Sequence, residues 1–445
     1  MFSTIKSAFK IPDLRRRIFF TIFMLIVFRF GAHIPVPYLS KDAMQAFLGN
    51  GGMDLFSMFD IFTGGAFSNA TVMALGVSPY INASIIVQLL AVAIPSLERL
   101  SKEGVEGRKK LNKINRYLGI VLALIQGAGL YVTLHNMGVQ SDIKPIMNES
   151  FLTFCVIVLT FTAGTAFIVW LGELITEKGL GNGVSLIIYA GIVSRIPSSA
   201  VAIYQQYLAP GVLSIKGIII SAAILVVAIL AITLVVLFNS AERKIPVQYA
   251  KRVVGRKMYG GQSTNIPIKV VMGGVMPIIF ASSIMAFPAT IVRLVTGGNI
   301  PQTGVWHHVL GCLSAGLSNA WWTYIVYAIL YFLLIIFFTY FYSSIQFNPI
   351  EMANNMKKSG GYIPGYRPGK PTSDFISKVA SRLNFTGAIF LGIIAVLPIV
   401  VGAIFGINGL QIGGTSLLIL EGVALETVAQ IESQMTMRHY KGFLE

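Results

Sequence analysis

Catalysis or metal binding in this 445-residue chain would fall to five histidines, two cysteines and 18 carboxylates, and their spacing serves neither. His33, His135, His307, His308 and His439 form no H-E-x-x-H or other ligand spacing, and His307-His308 has no acidic companion beside it. Cys155 and Cys312 cannot build a disulfide framework and read as packing residues rather than redox groups. Neither a G-x-S-x-G elbow nor a matched Ser/His pair offers a nucleophile. There is no D-D-x-x-D cluster for metal-dependent prenyl transfer. The run Gly365-Tyr-Arg-Pro-Gly369-Lys370-Pro371 misses a phosphate-binding loop, which needs four residues between its glycines and Ser or Thr after the Lys. No catalytic residue, metal or cofactor is expected.

The dominant feature of the chain that carries these groups is apolar length. The chain is 55% hydrophobic and 12% charged with mean hydropathy +0.73, against about 25% charged in a soluble protein. That excludes a water-soluble enzyme. The charges are lopsided, 34 Lys+Arg against 18 Asp+Glu for a net +16, so the aqueous face should meet something anionic. A helix needs about 20 apolar residues to cross a bilayer. Ten stretches qualify: Ile18–Ile34, Val72–Ile94, Tyr117–Leu134, Phe151–Leu171, Val184–Tyr204, Ile218–Phe238, Val270–Val295, Ala320–Ile345, Phe385–Phe405 and Gly413–Val428. The alternating strands of a membrane barrel are absent, so an all-α polytopic membrane protein is expected. The first stretch follows Arg15-Arg16-Arg17 but lacks a small-residue cleavage site and runs into Pro35 and Pro37, unlike a cleavable signal.

Short loops rich in Lys and Arg stay in the cytoplasm. With the N-terminus inside, 28 of the 34 basic residues fall on inside segments; Lys41, Lys144, Arg195, Lys216 and Arg293 fall outside, and Arg29 lies in the first stretch. Both termini are then cytoplasmic and the span count is even. The organisation reads as a cytoplasmic N-terminus (1–17), a first five-helix half (18–204) with a broken segment at 55–69, and the sixth span (205–238) opening the second half. A loop (239–269), spans seven and eight (270–346), a second loop (347–384), the last two spans (385–428) and a cytoplasmic tail (429–445) follow.

Both loops far exceed the usual connection of about 4–6 residues. Ala241-E-R-K-I-P-V-Q-Y-A-K-R-V-V-G-R-K257 interleaves apolar residues with basic ones, and Gly361-Y-I-P-G-Y-R-P-G-K370 holds a tandem Gly-Tyr-x-Pro. The bland reading is a topology signal. Length and regularly placed turn residues favour docking elements for an acidic protein surface or RNA phosphates.

Leu55–Asn69 is apolar but broken by Asp60 and Gly64-Gly65, too short to span. It suits a re-entrant half-helix over a cavity, with an interfacial helix as the alternative. Spans two and seven share P-x-I-x-A-S-x-I, from Pro79 to Ile86 and from Pro277 to Ile284. Five spans per half would invert the second half and put a path at the interface between halves, although five shared positions in apolar sequence can also arise by chance. Ile81 and Ile279 would be symmetry mates at that axis. Charges within spans are few, Arg29, Glu421 and Glu426, with Glu173 and Glu177 at the end of the fourth. Val77, Ile81 and Ile279 cannot coordinate an ion; they can form a constriction that dewets and closes.

Met73-A-L-G-V-S-P-Y-I-N-A-S-I-I-V-Q-L-L90, Trp170-L-G-E-L-I-T-E-K-G-L-G-N-G183, Gln262-S-T-N-I-P-I-K269, Phe347-N-P, Gly365-Y-R-P-G and Gly413-G-T-S-L-L-I419 resemble, in order and across nearly the whole chain, the SecY family of protein-conducting channels, bacterial members above all. The resemblance implies ten transmembrane helices in two inverted five-helix halves around a central pore. It places a pore ring at Val77, Ile81, Ile188, Ile279, Leu417 and Ile419, a plug on the 55–69 segment with Phe59, Asp60, Phe62, Gly64, Gly65 and Phe67, and a lateral gate at Ile85 and Phe287. It assigns Lys251, Arg252, Arg256, Lys257 and Arg367 to docking of the SecA motor or the ribosome, its RNA and proteins. It also implies SecE and SecG subunits, passage of signal sequences and nascent chains, and lateral release into membrane lipid of the bacterial cytoplasmic membrane. Glu421 departs from the aliphatic residue usual there. About 200° around the helix from Ile419, it should face away from the axis and pair with a neighbouring helix or subunit, or else reach water. A small-solute secondary transporter is the alternative; it would want polar residues at the midplane. A membrane-embedded enzyme lacks a nucleophile or metal site.

Overall fold

The computed structural model describes residues 9–42, 44–45, 60, 62–140, 146, 150–205, 215–249, 252–254, 257–259, 263–295, 305–313, 321–405 and 414–441. Helices α1 (Pro12–Gly31), α2 (Ser78–Ala93), α3 (Pro95–Lys102), α4 (Val105–Gln140), α5 (Phe151–Lys178), α6 (Gly183–Ile203) and α7 (Ile215–Ser240) come first. Strands β1 (Glu242–Tyr249), β2 (Arg252–Val254), β3 (Lys257–Tyr259) and β4 (Ser263–Lys269) follow. The chain continues through α8 (Met276–Val295), α9 (Val305–Leu313), α10 (Trp321–Gln346), α11 (Pro349–Lys358), β5 (Gly361–Tyr362), α12 (Lys370–Phe405) and α13 (Gly414–Lys441).

Each of the ten apolar stretches falls on one of the longer helices. Among the described residues, four segments are long and apolar enough to cross a bilayer alone: Lys109–Asn136, Phe151–Lys178, Trp322–Lys358 and Lys370–Leu397. A fifth arises if α2 and α3, bent by 108° at Ile94, count together. Pro95 makes that break, since it supplies no N–H to continue α2 yet suits a helix start. Pro79 likewise opens α2 later than the apolar run predicts, leaving residues 72–77 in turns. α4 begins well before Tyr117, because Lys109, Lys110 and Lys113 are good helix formers that carry the helix out into water.

Apolar side chains face outward as well as inward. Phe19, Phe23, Ile26 and Phe30 form an exposed stripe on α1, and Ile219, Val226, Leu230 and Leu237 do so on α7. In water such stripes would be costly; in lipid they are the solvent-facing surface. Inside, Val235, Ile278, Phe280, Tyr331, Phe338, Leu391 and Leu418 join α7, α8, α10, α12 and α13 in one core. Phe67, Leu130, Leu134, Ile157 and Phe161 join α4 and α5 in another.

The all-α expectation needs one correction. The two long loops fold together into a small mixed unit: β1 pairs antiparallel with β4 from Glu242↔Lys269 to Gln248↔Ser263, and β5 of the second loop joins the other edge of β1 at Gln248↔Tyr362. β2 and β3 form a separate hairpin. Ile245 and Val247 alternate inward along β1 and share a core with Ile268, Met356, Ile363 and Ile376. Ile, Val and Pro interleaved with Lys and Arg are thus a half-buried strand with its charges on the solvent side.

Candidate functional site

Four helices bring their aliphatic residues to one place. Val77 at the head of α2, Ile188 of α6, Ile279 of α8 and Ile419 of α13 are buried in one cluster, with Ile81 half-buried against it. Leu417 is half-buried and stands outside that cluster, while its neighbour Leu418 packs into the second core. None of the six carries a charge, so where they meet they can exclude water but cannot bind an ion.

Of the described residues between α1 and α2, Ala66 and Met73 are part of this cluster. Phe62 packs on it, and Phe67 is buried in the neighbouring core with Leu130 and Phe161. Gly64 and Gly65 take left-handed φ of 65° and 89°, which lets the chain reverse after a short helical piece. α6 meets the segment at Gly191, where a Cβ would stand 2.4 Å from the Phe62 carbonyl oxygen. Asp60 is 3% exposed and forms an ion pair with Arg195 of α6. Its Oδ1 accepts the Ser68 N–H at 2.8 Å, and its carbonyl accepts from Thr63 Oγ1 at 3.2 Å and Gly65 N at 2.9 Å. Arg29 of α1 donates from Nη1 to the Gly64 carbonyl at 2.9 Å. Phe59 lies outside the described residues.

Arg195 is the residue that sequence reasoning missed. Counted with the outside loops, it is instead inside α6, seven residues beyond Ile188 and so about 10 Å further along the axis. An arginine within an apolar stretch was the available signal. Ile81, Ile85 and Leu89, spaced four apart, put one stripe of α2 against the second core, where Ile85 is buried with Phe280 and Met285 of α8. Phe287 lies on α8, beside Pro288; its side chain is outside the description.

Glu421 is 6% exposed, and neither carboxylate oxygen has a hydrogen-bond partner among the described residues. Among the described residues no neighbouring helix supplies the expected partner, and the side chain is buried rather than exposed.

Of the basic docking residues, Arg367 is the one fully described. It is exposed on the turn after β5; Thr372 Oγ1 donates to its carbonyl at 2.7 Å, and Tyr366 stacks on Phe375 at 4.2 Å. Arg252 and Lys257 lie on β2 and β3 with side chains outside the description, and Lys251 and Arg256 are wholly outside it. Between β1 and α11, Tyr249, Phe347, Asn348, Glu351, Met352 and Asn355 line a cavity of about 390 Å³.

A helical bundle with an uncharged aliphatic cluster where four helices meet, and a short segment seated against it, has the build of a gated channel. The chain belongs to the SecY family, whose family model matches residues 71–428. It is 44% identical over 456 residues to the protein translocase subunit SecY of Mycobacterium bovis, covering all of both chains. To the Streptomyces coelicolor protein of that name it is 43% identical over 451 residues, again with full coverage of both. A solved structure described as "The structure of a protein conducting channel" aligns over 95% of this chain and 92% of the other, with TM-score 0.66 and 19% identity. Sec61 in the canine ribosome-channel complex aligns over the same shares with TM-score 0.62 and 18% identity. Family membership makes the chain a subunit of a protein-conducting channel and not an enzyme.

Proposed function

We propose that this chain is the pore-forming subunit of a bacterial cytoplasmic-membrane translocase, with ten spans in two inverted halves and both termini in the cytoplasm. The convergence of Val77, Ile81, Ile188, Ile279 and Ile419 from four helices carries the reading. These residues, with Leu417, are the pore ring, a constriction that parts around an unfolded chain and closes behind it. The 55–69 segment, whose described residues Phe62 and Phe67 pack into the bundle, is the plug, and α2 with Ile85 and α8 with Phe287 form the lateral gate toward lipid. Signal sequences and membrane helices leave by that route.

Having no motor of its own, the channel is driven from its basic face. The unit built from both loops presents Arg367 of the second loop, and Lys251, Arg252, Arg256 and Lys257 of the first, to SecA or to the ribosome. SecE and SecG complete the complex. The experiment that tests the pore assignment places a Cys at Ile279 and stalls a secretory precursor carrying a single Cys. A disulfide between the two is expected; failure from every ring position overturns the assignment.

A further inference from the structure

The seated segment is held by charge as well as shape. Two arginines from two different helices converge on it, Arg195 on the Asp60 carboxylate and Arg29 on the Gly64 carbonyl. Arg195 Nη2 also donates to Ser68 Oγ at 3.4 Å, so carboxylate, guanidinium and Ser68 are linked to one another. The Asp60 side chain is 4% exposed and that of Arg195 15%. An apolar stopper needs no charges, and arginines within apolar helices are costly unless a partner repays them. Here the partner sits on the one element that must leave when the channel opens.

We propose that Asp60, Arg195 and Arg29 are an electrostatic latch that sets how readily the plug leaves its seat. The proposal rests on the reading of this segment as the plug. Seated, the carboxylate and guanidinium have given up water and depend on each other; displaced, both regain water in the opened passage. Neutralising one partner leaves the other buried without its counter-charge, which penalises the closed state alone. Neutralising both removes that penalty, so the two substitutions must be strongly non-additive. Arg29 contributes differently, through a carbonyl, and its loss should loosen the seat without coupling to Asp60 as tightly.

The test uses the complete complex with its partner subunits in proteoliposomes, reading chloride leak without substrate. Asp60→Asn, which can still accept the Ser68 N–H, and Arg195→Gln should each raise the leak on the order of a hundredfold, the shift expected for an orphaned buried charge. Asp60→Asn/Arg195→Gln should leak well below the product of the single effects, and Arg195→Lys should stay near wild type. Recovery of assembled complex from detergent is measured alongside, so that misfolding is seen as lost complex. A silent Asp60→Asn, multiplicative single effects, or a Lys variant as leaky as the Gln variant each overturn the latch. The plug reading is tested separately by deleting residues 62–69 and recording the same leak, because a segment that seals the passage should raise it when removed. No rise in an assembled complex overturns the plug reading, whereas a rise combined with silent charge variants overturns the latch alone.

Discussion

Pro79 and Pro277 occupy the same place in α2 and α8, each the second residue of its helix, and each sets an isoleucine two positions on into the same aliphatic cluster. The equivalence puts Ile81 and Ile279 at matched positions on the cluster. Ile279→Ala removes buried methylenes and should cost about 2–5 kcal/mol of stability. If the cluster is a constriction, the same variant also raises resting ion leak through the reconstituted complex. A destabilised protein that leaks no more than wild type would make the cluster core packing and nothing else.

Gly191 is where α6 lets the Phe62–Gly64 segment approach, since a Cβ there would stand 2.4 Å from the Phe62 carbonyl oxygen. Backbone cannot yield as a flexible side chain does. Gly191→Ala should unseat the segment partly and Gly191→Val more fully, giving a graded rise in leak while α6, tolerant of either residue, stays helical. Single-channel recordings check the order Gly < Ala < Val; a flat series would mean that the segment relaxes freely.

The α2 stripe offers a third check. Ile85 is buried among Phe280, Met285 and Tyr331, so Ile85→Glu introduces a carboxylate into an apolar contact of α2 with α8 and α10. Release of a marginally hydrophobic membrane helix into lipid should become easier, scored by the inserted fraction of a graded Leu/Ala test segment. An unchanged insertion threshold would remove Ile85 from the gate.

Much of this architecture was legible in the sequence because membrane helices announce themselves by apolar length, and the P-x-I-x-A-S-x-I pair marked the residues that meet. The loops were less legible. Ile245, Val247 and Ile268 form the core of a small sheet whose strands come from segments about a hundred residues apart, and no local pattern announces that β5 will pair with β1. Arg195 was hidden for a different reason: it was counted with an outside loop although it lies well within the Val184–Tyr204 run, and only tertiary structure brings Asp60 to it. The fate of Leu417 depends on the rotation of α13, which spacing alone does not fix.

Arg367 projects from a turn whose backbone is pinned by Thr372 and whose neighbour Tyr366 is stacked on Phe375. Charge reversal there should leave the turn intact. Arg367→Glu is therefore expected to lower precursor export about tenfold or more at low salt, with normal insertion and resting leak, and the deficit should track weakened motor or ribosome binding. Because exposed charges are screened, the wild-type advantage should shrink as salt rises. Tyr366→Ala should give a milder defect by loosening the turn. Unimpaired export by Arg367→Glu would take this residue out of the docking surface.

Glu421 tests where this chain ends and its complex begins. Two residues from Ile419 on α13, it is buried, and both carboxylate oxygens lack a partner among the described residues. An orphaned carboxylate at such a site does not stabilise the chain that holds it. In the isolated subunit, Glu421→Gln and Glu421→Leu should therefore cost no more than about 0.5 kcal/mol, and Leu should do at least as well as Gln. In the assembled complex the same pair discriminates. If a partner subunit supplies a donor, Leu lowers retention of that subunit during detergent purification and Gln, which can still accept a hydrogen bond, lowers it less. Equal retention for all three residues would mean that no partner reaches Glu421. A loss of stability already present in the isolated subunit would place the missing donor within this chain.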